Sequence, residues 1–168
     1  EKVIKEYENF ATKHNLLLNP DREYVKKLIL ALLFNEKIHG FRYCPCRKIP
    51  KKLDISKICP CKWYKEEISK QGHCHCKLFF KPEVIIIEYR SDFCPLCEGV
   101  EKALEKIKKK HKNWLVKIIN VDKEKIDIGI DEFPVLKFII GDKEKFFIGE
   151  VNSKDIEKLV KKIKNGEY

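Results

Sequence analysis

The residues of this chain with the clearest capacity for chemistry are its eight cysteines. Six of them form three C-x-C pairs, namely Cys44-Pro45-Cys46, Cys59-Pro60-Cys61 and Cys74-His75-Cys76, and twelve residues separate each pair from the next. The other two form a C-x-x-C motif, Cys94-Pro95-Leu96-Cys97. Because thiolates both ligate metals and exchange disulfides, this pattern predicts metal-binding or redox chemistry.

The three C-x-C pairs offer more sulfur atoms than one metal centre uses. A 4Fe–4S cluster takes four thiolate ligands, and the two cysteines left over from six are the number that one reactive disulfide needs. Zinc is an alternative, held by four cysteines or by three with His73 or His75, although zinc ligands usually lie about two to four residues apart. Ordinary disulfides are a third possibility, which a cytosolic chain disfavours. The count and spacing favour iron–sulfur over zinc, and zinc over disulfides.

The C-x-x-C motif lies between a predicted strand and a predicted helix, whose apolar face is formed by Val100, Ala103, Leu104 and Ile107. A thiolate at Cys94 would face the helix N-terminus, where the helix dipole and the free amides lower its pKa. Cys97, one turn along, can resolve a mixed disulfide. Near a βαβ pattern this motif indicates a redox pair. The alternative, half of a metal site, lacks a second pair of ligands nearby.

The elements that must position these cysteines divide at Lys81-Pro82. Before this boundary the sequence predicts two amphipathic helices, and Asn19 is the expected N-cap of the second, with Pro20 in its first helical position. No sustained strand alternation follows these helices, so short helices and loops are expected up to the boundary. We therefore predict two domains: a mostly α iron–sulfur domain over residues 1–81 and an α/β domain over residues 82–168.

The second domain is predicted to follow the order β-α-β-α-β-β-α, with a parallel first pair and a closing hairpin, which together give a mixed sheet. A short helix or turn is expected over residues 123–130, and Asn152 is the expected N-cap of the last helix. This order resembles the thioredoxin-like fold at glutaredoxin size, and the C-P-x-C motif resembles that of glutaredoxins. Pro134 lies where thioredoxin-like proteins place a cis-proline facing the cysteine pair. The resemblance implies a substrate-positioning role for Pro134; the alternative is an ordinary proline at the start of a strand.

The first domain is similar to the catalytic subunit of ferredoxin–thioredoxin reductase over roughly residues 5–82. The likeness is carried by three ordered segments: Arg42-Tyr43-Cys44-Pro45-Cys46-Arg47, Cys59-Pro60-Cys61 and Cys74-His75-Cys76-Lys77-Leu78-Phe79-Phe80. Both spacers are twelve residues long here, whereas plant and cyanobacterial members have a longer first spacer. The sequence also holds no counterpart of the plant enzyme's small subunit, so it is closer to the stand-alone prokaryotic relatives.

Carried over position by position, the resemblance implies one 4Fe–4S cluster whose ligands are Cys44, Cys59, Cys61 and Cys74. It implies that Cys46 and Cys76 form a redox-active disulfide beside the cluster. It also implies that His75 is the proton donor near that disulfide. His73 has no counterpart in the family and is expected at the surface.

The implied activity is that of an oxidoreductase that acts on protein disulfides, with the iron–sulfur protein ferredoxin as electron donor. Electrons would pass from ferredoxin through the cluster and the Cys46–Cys76 disulfide to the Cys94–Cys97 dithiol, and then to target proteins. A weaker version keeps both sites without internal transfer, so that Cys46 reduces a separate thioredoxin. A zinc-stabilised binding module fused to a redox domain is the alternative from another functional class.

Positive charge is concentrated around the three C-x-C pairs. The chain has a net charge of +10, and residues 37–81 carry 12 Lys and Arg against 3 Asp and Glu, whereas residues 83–168 carry 18 against 17. This asymmetry predicts a docking face for an acidic protein such as ferredoxin. No nucleic-acid-binding motif accompanies the charge, so nucleic acid is not expected as a partner.

Membrane insertion and secretion are not expected for this sequence. No apolar run approaches the roughly 20 residues of a membrane helix. The charged residues 1–10 lack the basic and apolar regions of a signal peptide. Cysteine-rich chains without such a signal more often use their thiols for metal or redox chemistry in the cytoplasm, which is the expected location.

Overall fold

A computed structural model describes all 168 residues and divides the chain at Pro82. The first unit comprises Glu1–Lys81 and the second comprises Pro82–Tyr168. None of the helices combines the length and the apolar composition that crossing a membrane requires.

The first unit contains three helices joined by long loops. Its elements are α1 (Lys2–Lys13), β1 (Leu17–Leu18), α2 (Arg22–His39), a 3₁₀ turn (Ile55–Lys57), α3 (Tyr64–Gln71) and β2 (Phe79–Phe80). The two short strands pair antiparallel, and this pairing joins the segment after α1 to the segment after the third C-x-C pair.

Helix α2 begins two residues later than the sequence predicts. The Asp21 carboxylate caps it by accepting hydrogen bonds from amides of the first turn, so the helix starts at Arg22. The predicted Asn19 cap with Pro20 as first helical residue is therefore wrong. Asn19 instead donates from Nδ2 to the carbonyl oxygen of Lys77 at 2.8 Å, and this bond ties α2 to the loop that follows Cys76.

The core of the first unit is built around cysteine side chains. Five of the six C-x-C cysteines are buried in one apolar cluster, whose other members include Tyr7, Ala11, Val25, Ile29, Leu32, Ile68, Leu78 and Phe79. Cys46 is partly buried against the same cluster. The cysteines of this unit are therefore both its reactive residues and part of its core.

The second unit is a four-stranded sheet with helices. Its elements are β3 (Val84–Arg90), α4 (Cys97–Lys110), β4 (Trp114–Asn120), α5 (Val121–Glu124), β5 (Val135–Ile140), β6 (Lys143–Ile148) and α6 (Ser153–Asn165). The strand order is β4-β3-β5-β6, with β3 parallel to β4 and antiparallel to β5, and β5 antiparallel to β6. The mixed sheet predicted from the sequence is confirmed.

Helix α5 lies earlier than the predicted 123–130 segment. The side chain of Asn120 accepts hydrogen bonds from the amides of Asp122 and Lys123, so helical structure begins at Val121. Lys125 then adopts a left-handed conformation with φ of 52°, which ends the helix after a single turn. The predicted position was wrong because Asn120 caps the helix directly at the end of β4.

Period-2 alternation directs one face of β3 into the core of the second unit. Val84 and Ile86 are fully buried there against apolar residues of α4 and α6, with Leu136 and Phe138 of β5 in the same cluster. This packing fixes the end of β3, and hence the position of the C-x-x-C motif that follows it.

Replacement of Ile86 with alanine is expected to destabilise the second unit by about 2–5 kcal/mol, because the side chain is fully buried and its loss leaves a cavity. Ile118→Ala is the matched control: Ile118 lies in the neighbouring strand with 42% exposure, and its replacement should cost less than about 1 kcal/mol. Denaturant unfolding followed by Trp114 fluorescence in a Trp63→Phe background measures both, and equal losses would contradict the packing described.

Candidate redox sites

Backbone hydrogen bonds bring the first two C-x-C pairs together. The Cys44 amide donates to the carbonyl oxygen of Lys57 at 2.8 Å, and the Cys59 amide donates to that of Arg42 at 2.9 Å. The segments that enter the two pairs therefore run side by side as a short antiparallel bridge.

The third pair is held by a tight turn that leads into β2. The carbonyl oxygen of Cys74 accepts from the Lys77 amide at 2.8 Å, and Lys77 has a left-handed backbone with φ of 56°. The Phe79 amide donates to Cys74 Sγ at 3.3 Å. A backbone N–H directed at sulfur stabilises negative charge on that atom.

All six cysteines of the three pairs line a single cavity, together with His75, Glu67 and aromatic side chains. Sγ of Cys44 lies 3.1 Å from Sγ of Cys46, and Sγ of Cys74 lies 3.6 Å from Sγ of Cys76. The sulfurs of Cys44, Cys46 and Cys76 lie within 4.8 Å of one another. The structure thus brings together all six predicted residues, including the two assigned to a disulfide; their division into ligands and disulfide stays a prediction.

The C-x-x-C motif forms a second site, in the second unit. Cys94 and Cys97 are joined by a disulfide. Cys97 is fully buried at the first residue of α4, whereas Cys94 is half-buried and next to Phe93, which is 91% exposed. The Phe133–Pro134 peptide is cis, as the sequence predicts.

Comparison with known proteins then identifies both units. A family model described as the ferredoxin thioredoxin reductase catalytic beta chain matches residues 1–90, more than half of the chain. The chain belongs to that family. A thioredoxin family model matches residues 64–165, so the chain also belongs to the thioredoxin family. The predicted fusion is confirmed, and it makes the chain a disulfide oxidoreductase. No curated protein matches it.

Solved structures similar to the chain include several thioredoxins. Thioredoxin-2 of the malaria parasite is 18% identical, with a TM-score of 0.45 over 51% of this chain and 87% of that one. A mutant thioredoxin from Halobacterium salinarum is 18% identical, with a TM-score of 0.41 over 48% and 74%. Thioredoxin O2 from Arabidopsis thaliana is 14% identical, with a TM-score of 0.40 over 47% and 73%.

In the part that matches the reductase catalytic chain, crowding of the thiols shifts their proton affinities. Hydrogen bonds from Cys44 and Cys76 hold the pKa of the Cys46 thiol well below its usual value, and the positive charge of Arg47 acts in the same direction. Hydrogen bonds with Cys44 and Cys46 are the main reason why the pKa of the Cys76 thiol is raised. The pKa of the Cys74 thiol is also lowered, to about 7, chiefly by its hydrogen bond with Cys76.

The two histidines next to the third pair of cysteines, His73 and His75, lie in different positions. His75, the predicted proton donor, lines the cavity, although its side chain is exposed. The ring of His73 contacts the carbonyl oxygen of Cys74 through Nδ1 at 2.9 Å and packs against Phe80, so it is not among the residues that line the cavity. Its side chain is half-buried, and the expectation that His73 has no role in the redox chemistry stays a prediction.

In the thioredoxin part, a polar network that the sequence analysis missed fixes the loop before Cys94. The Asp122 carboxylate accepts hydrogen bonds from Ser91 Oγ at 2.8 Å and from the Asp92 amide at 2.7 Å. Asn120 donates to the Asp92 carboxylate at 2.7 Å. These contacts join residues about thirty apart in sequence, so no local sequence pattern predicts them.

Glu88 is a further residue that the sequence pattern did not single out. It follows Ile86 on the core face of β3, is fully buried, and neither carboxylate oxygen has a hydrogen-bond partner. Burial raises its pKa to about 7, with a smaller contribution from Glu101 and opposition from Arg90. The available sequence signal was that Glu88 is the single acidic residue in the mostly apolar strand before the C-x-x-C motif.

Glu88 should make the stability of the thioredoxin part fall as pH rises. Its pKa is about 7 in the folded chain and 4.5 in the unfolded one, so the folded state binds the proton more tightly. The free energy of unfolding begins to fall at about pH 4.5, and the fall is complete above about pH 7. It amounts to on the order of 3 kcal/mol. Glu88→Gln should remove it, making the variant more stable than the parent at pH 8 and similar at pH 4.5.

Glu98→Gln is the matched control for this measurement. Glu98 is exposed on α4 and its pKa is lowered by Lys102, so its replacement should leave the fall in stability between pH 4.5 and 8 unchanged. Denaturant unfolding from pH 4.5 to 8 with the Cys94–Cys97 disulfide kept oxidised measures all three proteins. A Glu88→Gln difference that does not vary with pH would contradict a buried, titrating carboxyl.

Proposed function

We propose that the chain is a ferredoxin-dependent disulfide reductase with two thiol sites in series. Electrons from ferredoxin reach a 4Fe–4S cluster and the Cys46–Cys76 disulfide, then the Cys94–Cys97 pair, and then a target protein disulfide. The observation that carries this proposal is the convergence of six cysteine sulfurs on one cavity in a chain that also holds a thioredoxin-type disulfide.

The donor set suits an iron–sulfur cluster. Six sulfurs surround the cavity and five of the cysteines are buried, and thiolate is the ligand that such clusters use. We assign ligation to Cys44, Cys59, Cys61 and Cys74. When bound, the cluster supplies single electrons to the neighbouring disulfide. The remaining two sulfurs, of Cys46 and Cys76, already lie within 4.8 Å of each other.

Exposure assigns different roles to these two cysteines. Cys46 is half-buried, whereas Cys76 is only 9% exposed. A partner disulfide can therefore be attacked by Cys46 but not readily by Cys76. Two electrons and two protons convert the Cys46–Cys76 disulfide into two thiols. The role of His75 would be to deliver one of these protons, since it lines the same cavity.

Transfer to the second pair is then ordinary thiol–disulfide exchange. The Cys46 thiolate attacks the sulfur of Cys94, the Cys94–Cys97 bond breaks, and Cys97 leaves as a thiolate that takes up a proton. Cys76 next attacks Cys46 in the mixed disulfide. The Cys46–Cys76 disulfide forms again, and Cys94 is released as a thiolate. Two electrons have moved, and no other reactant is consumed.

The reduced second pair would act on target proteins in the same way. Cys94 is the more exposed sulfur and attacks the target disulfide, and the buried Cys97 then resolves the mixed disulfide. The exposed side chains of Phe93 and Leu96 supply apolar contact for the target. We propose that Pro134 positions the bound target chain beside Cys94.

The positive charge of the first unit supports an acidic electron donor. Lys48, Lys51 and Lys52 are exposed in the loop that follows the first C-x-C pair, so they can attract ferredoxin through long-range electrostatics. The proposed location is the cytoplasm, a reducing compartment in which cysteines more often serve metal binding or redox catalysis than structural disulfides.

The double variant Cys94→Ser, Cys97→Ser tests the order of the two sites. With reduced ferredoxin as donor, it should still reduce its Cys46–Cys76 disulfide but should lose reduction of target proteins, because the second pair carries the electrons onward. The assay follows target thiols by alkylation over time, and Cys97→Ser alone should trap a mixed disulfide between Cys94 and the target. Target reduction at the parent rate by the double variant would contradict the series order, because electrons would then leave the chain from Cys46 without passing through the second pair.

A further inference from the structure

The carboxylate of Glu67 joins the loops that carry Cys46 and Cys76. One oxygen, Oε1, forms an ion pair with the guanidinium of Arg47, the residue that follows Cys46. The other, Oε2, accepts a hydrogen bond at 2.9 Å from the backbone amide of His75, the residue that precedes Cys76. A single side chain on α3 thus bridges the first and third C-x-C pairs.

These contacts lie in a partly enclosed setting. The side chains of Arg47 and Glu67 are 23% and 19% exposed, and Glu67 lines the same cavity as the six cysteines. The guanidinium of Arg47 also lies 4.7 Å from the centre of the Trp63 ring and 4.0 Å from Sγ of Cys61. The ion pair is therefore held from several sides, unlike a solvated surface pair.

The adjacent residue on α3 provides a contrast. Glu66 is 62% exposed and pairs with Lys70 one turn along the same helix. Such an exposed pair along one helix supports the helix only weakly. No hydrogen bond or ion pair connects Glu66 to either cysteine loop. The two neighbouring glutamates therefore differ, since Glu67 bridges the loops and Glu66 lies on the helix surface.

We propose that Glu67 is a positioning residue for the Cys46–Cys76 pair. Its two contacts hold the two loops at the separation at which the disulfide can form and break, and its charge offsets that of Arg47 beside Cys46. This inference rests on the proposed redox role of the pair. It concerns the position of the two sulfurs, not a proton transferred by Glu67.

Loss of the carboxylate should make the disulfide easier to reduce. Without the two contacts of Glu67 the loops are held less firmly, which lowers the effective concentration of one thiol at the other and disfavours the disulfide. The equilibrium therefore shifts toward the dithiol.

The test compares Glu67→Gln with Glu66→Gln in the full-length, iron-loaded chain that also carries Cys94→Ser and Cys97→Ser, so that a single cysteine pair is titrated. Each protein is equilibrated anaerobically with dithiothreitol redox buffers, alkylated, and mapped by mass spectrometry for the Cys46–Cys76 disulfide. Glu67→Gln should shift the equilibrium constant about tenfold toward the dithiol, equivalent to about 30 mV. Glu66→Gln should match the parent.

Glu67→Asp gives a second measurement if the glutamine variant folds poorly. It keeps the charge but is one methylene shorter, so it should shift the equilibrium in the same direction by a smaller factor. Parent-like equilibria for both Glu67 variants, with the disulfide present, would overturn the positioning role and leave the proposed function intact. Absence of any Cys46–Cys76 disulfide in the parent would overturn the proposed function, and this inference with it.

Discussion

The packing of six cysteine sulfurs around one buried cavity is the constraint on which the first unit depends. Loops, not helices, carry these cysteines, so hydrogen bonds from α2 and from the segment before it must fix the loops. Asn19 donates to the Lys77 carbonyl, and Tyr24 donates through its hydroxyl to the Cys76 carbonyl at 3.0 Å. Buried thiols also form part of the apolar core. The reactive group and the fold are therefore stabilised by the same contacts.

The two cysteine sites share one asymmetry although they belong to different families and folds. Each combines a half-buried cysteine, Cys46 or Cys94, with a buried one, Cys76 or Cys97. Exchange chemistry needs this arrangement, because the accessible sulfur must meet a partner and the protected sulfur must resolve the mixed disulfide. The charge differs between the units, since the excess of lysine and arginine lies in the first, which suits an acidic electron donor there.

Local patterns predicted much of the second unit, and long-range contacts account for what they missed. The strand predicted before the C-x-x-C motif and the Asn152 cap of α6 depend on neighbouring residues only, and both are confirmed. Asn19 was assigned to a helix cap because its bond to Lys77, 58 residues away, leaves no trace in sequence. In sequence, Glu67 is one of two adjacent glutamates. Only the folded loops show which of the two bridges the cysteine pairs.

The central claim, that the first unit holds an iron–sulfur cluster beside a reactive disulfide, is tested most directly by an anaerobic absorbance spectrum with iron, sulfide and zinc analysis of the purified chain. The account predicts a brown protein with about four irons and four sulfides per chain. A colourless protein with zinc and no iron would contradict it, and would leave Cys94–Cys97 as the redox-active pair.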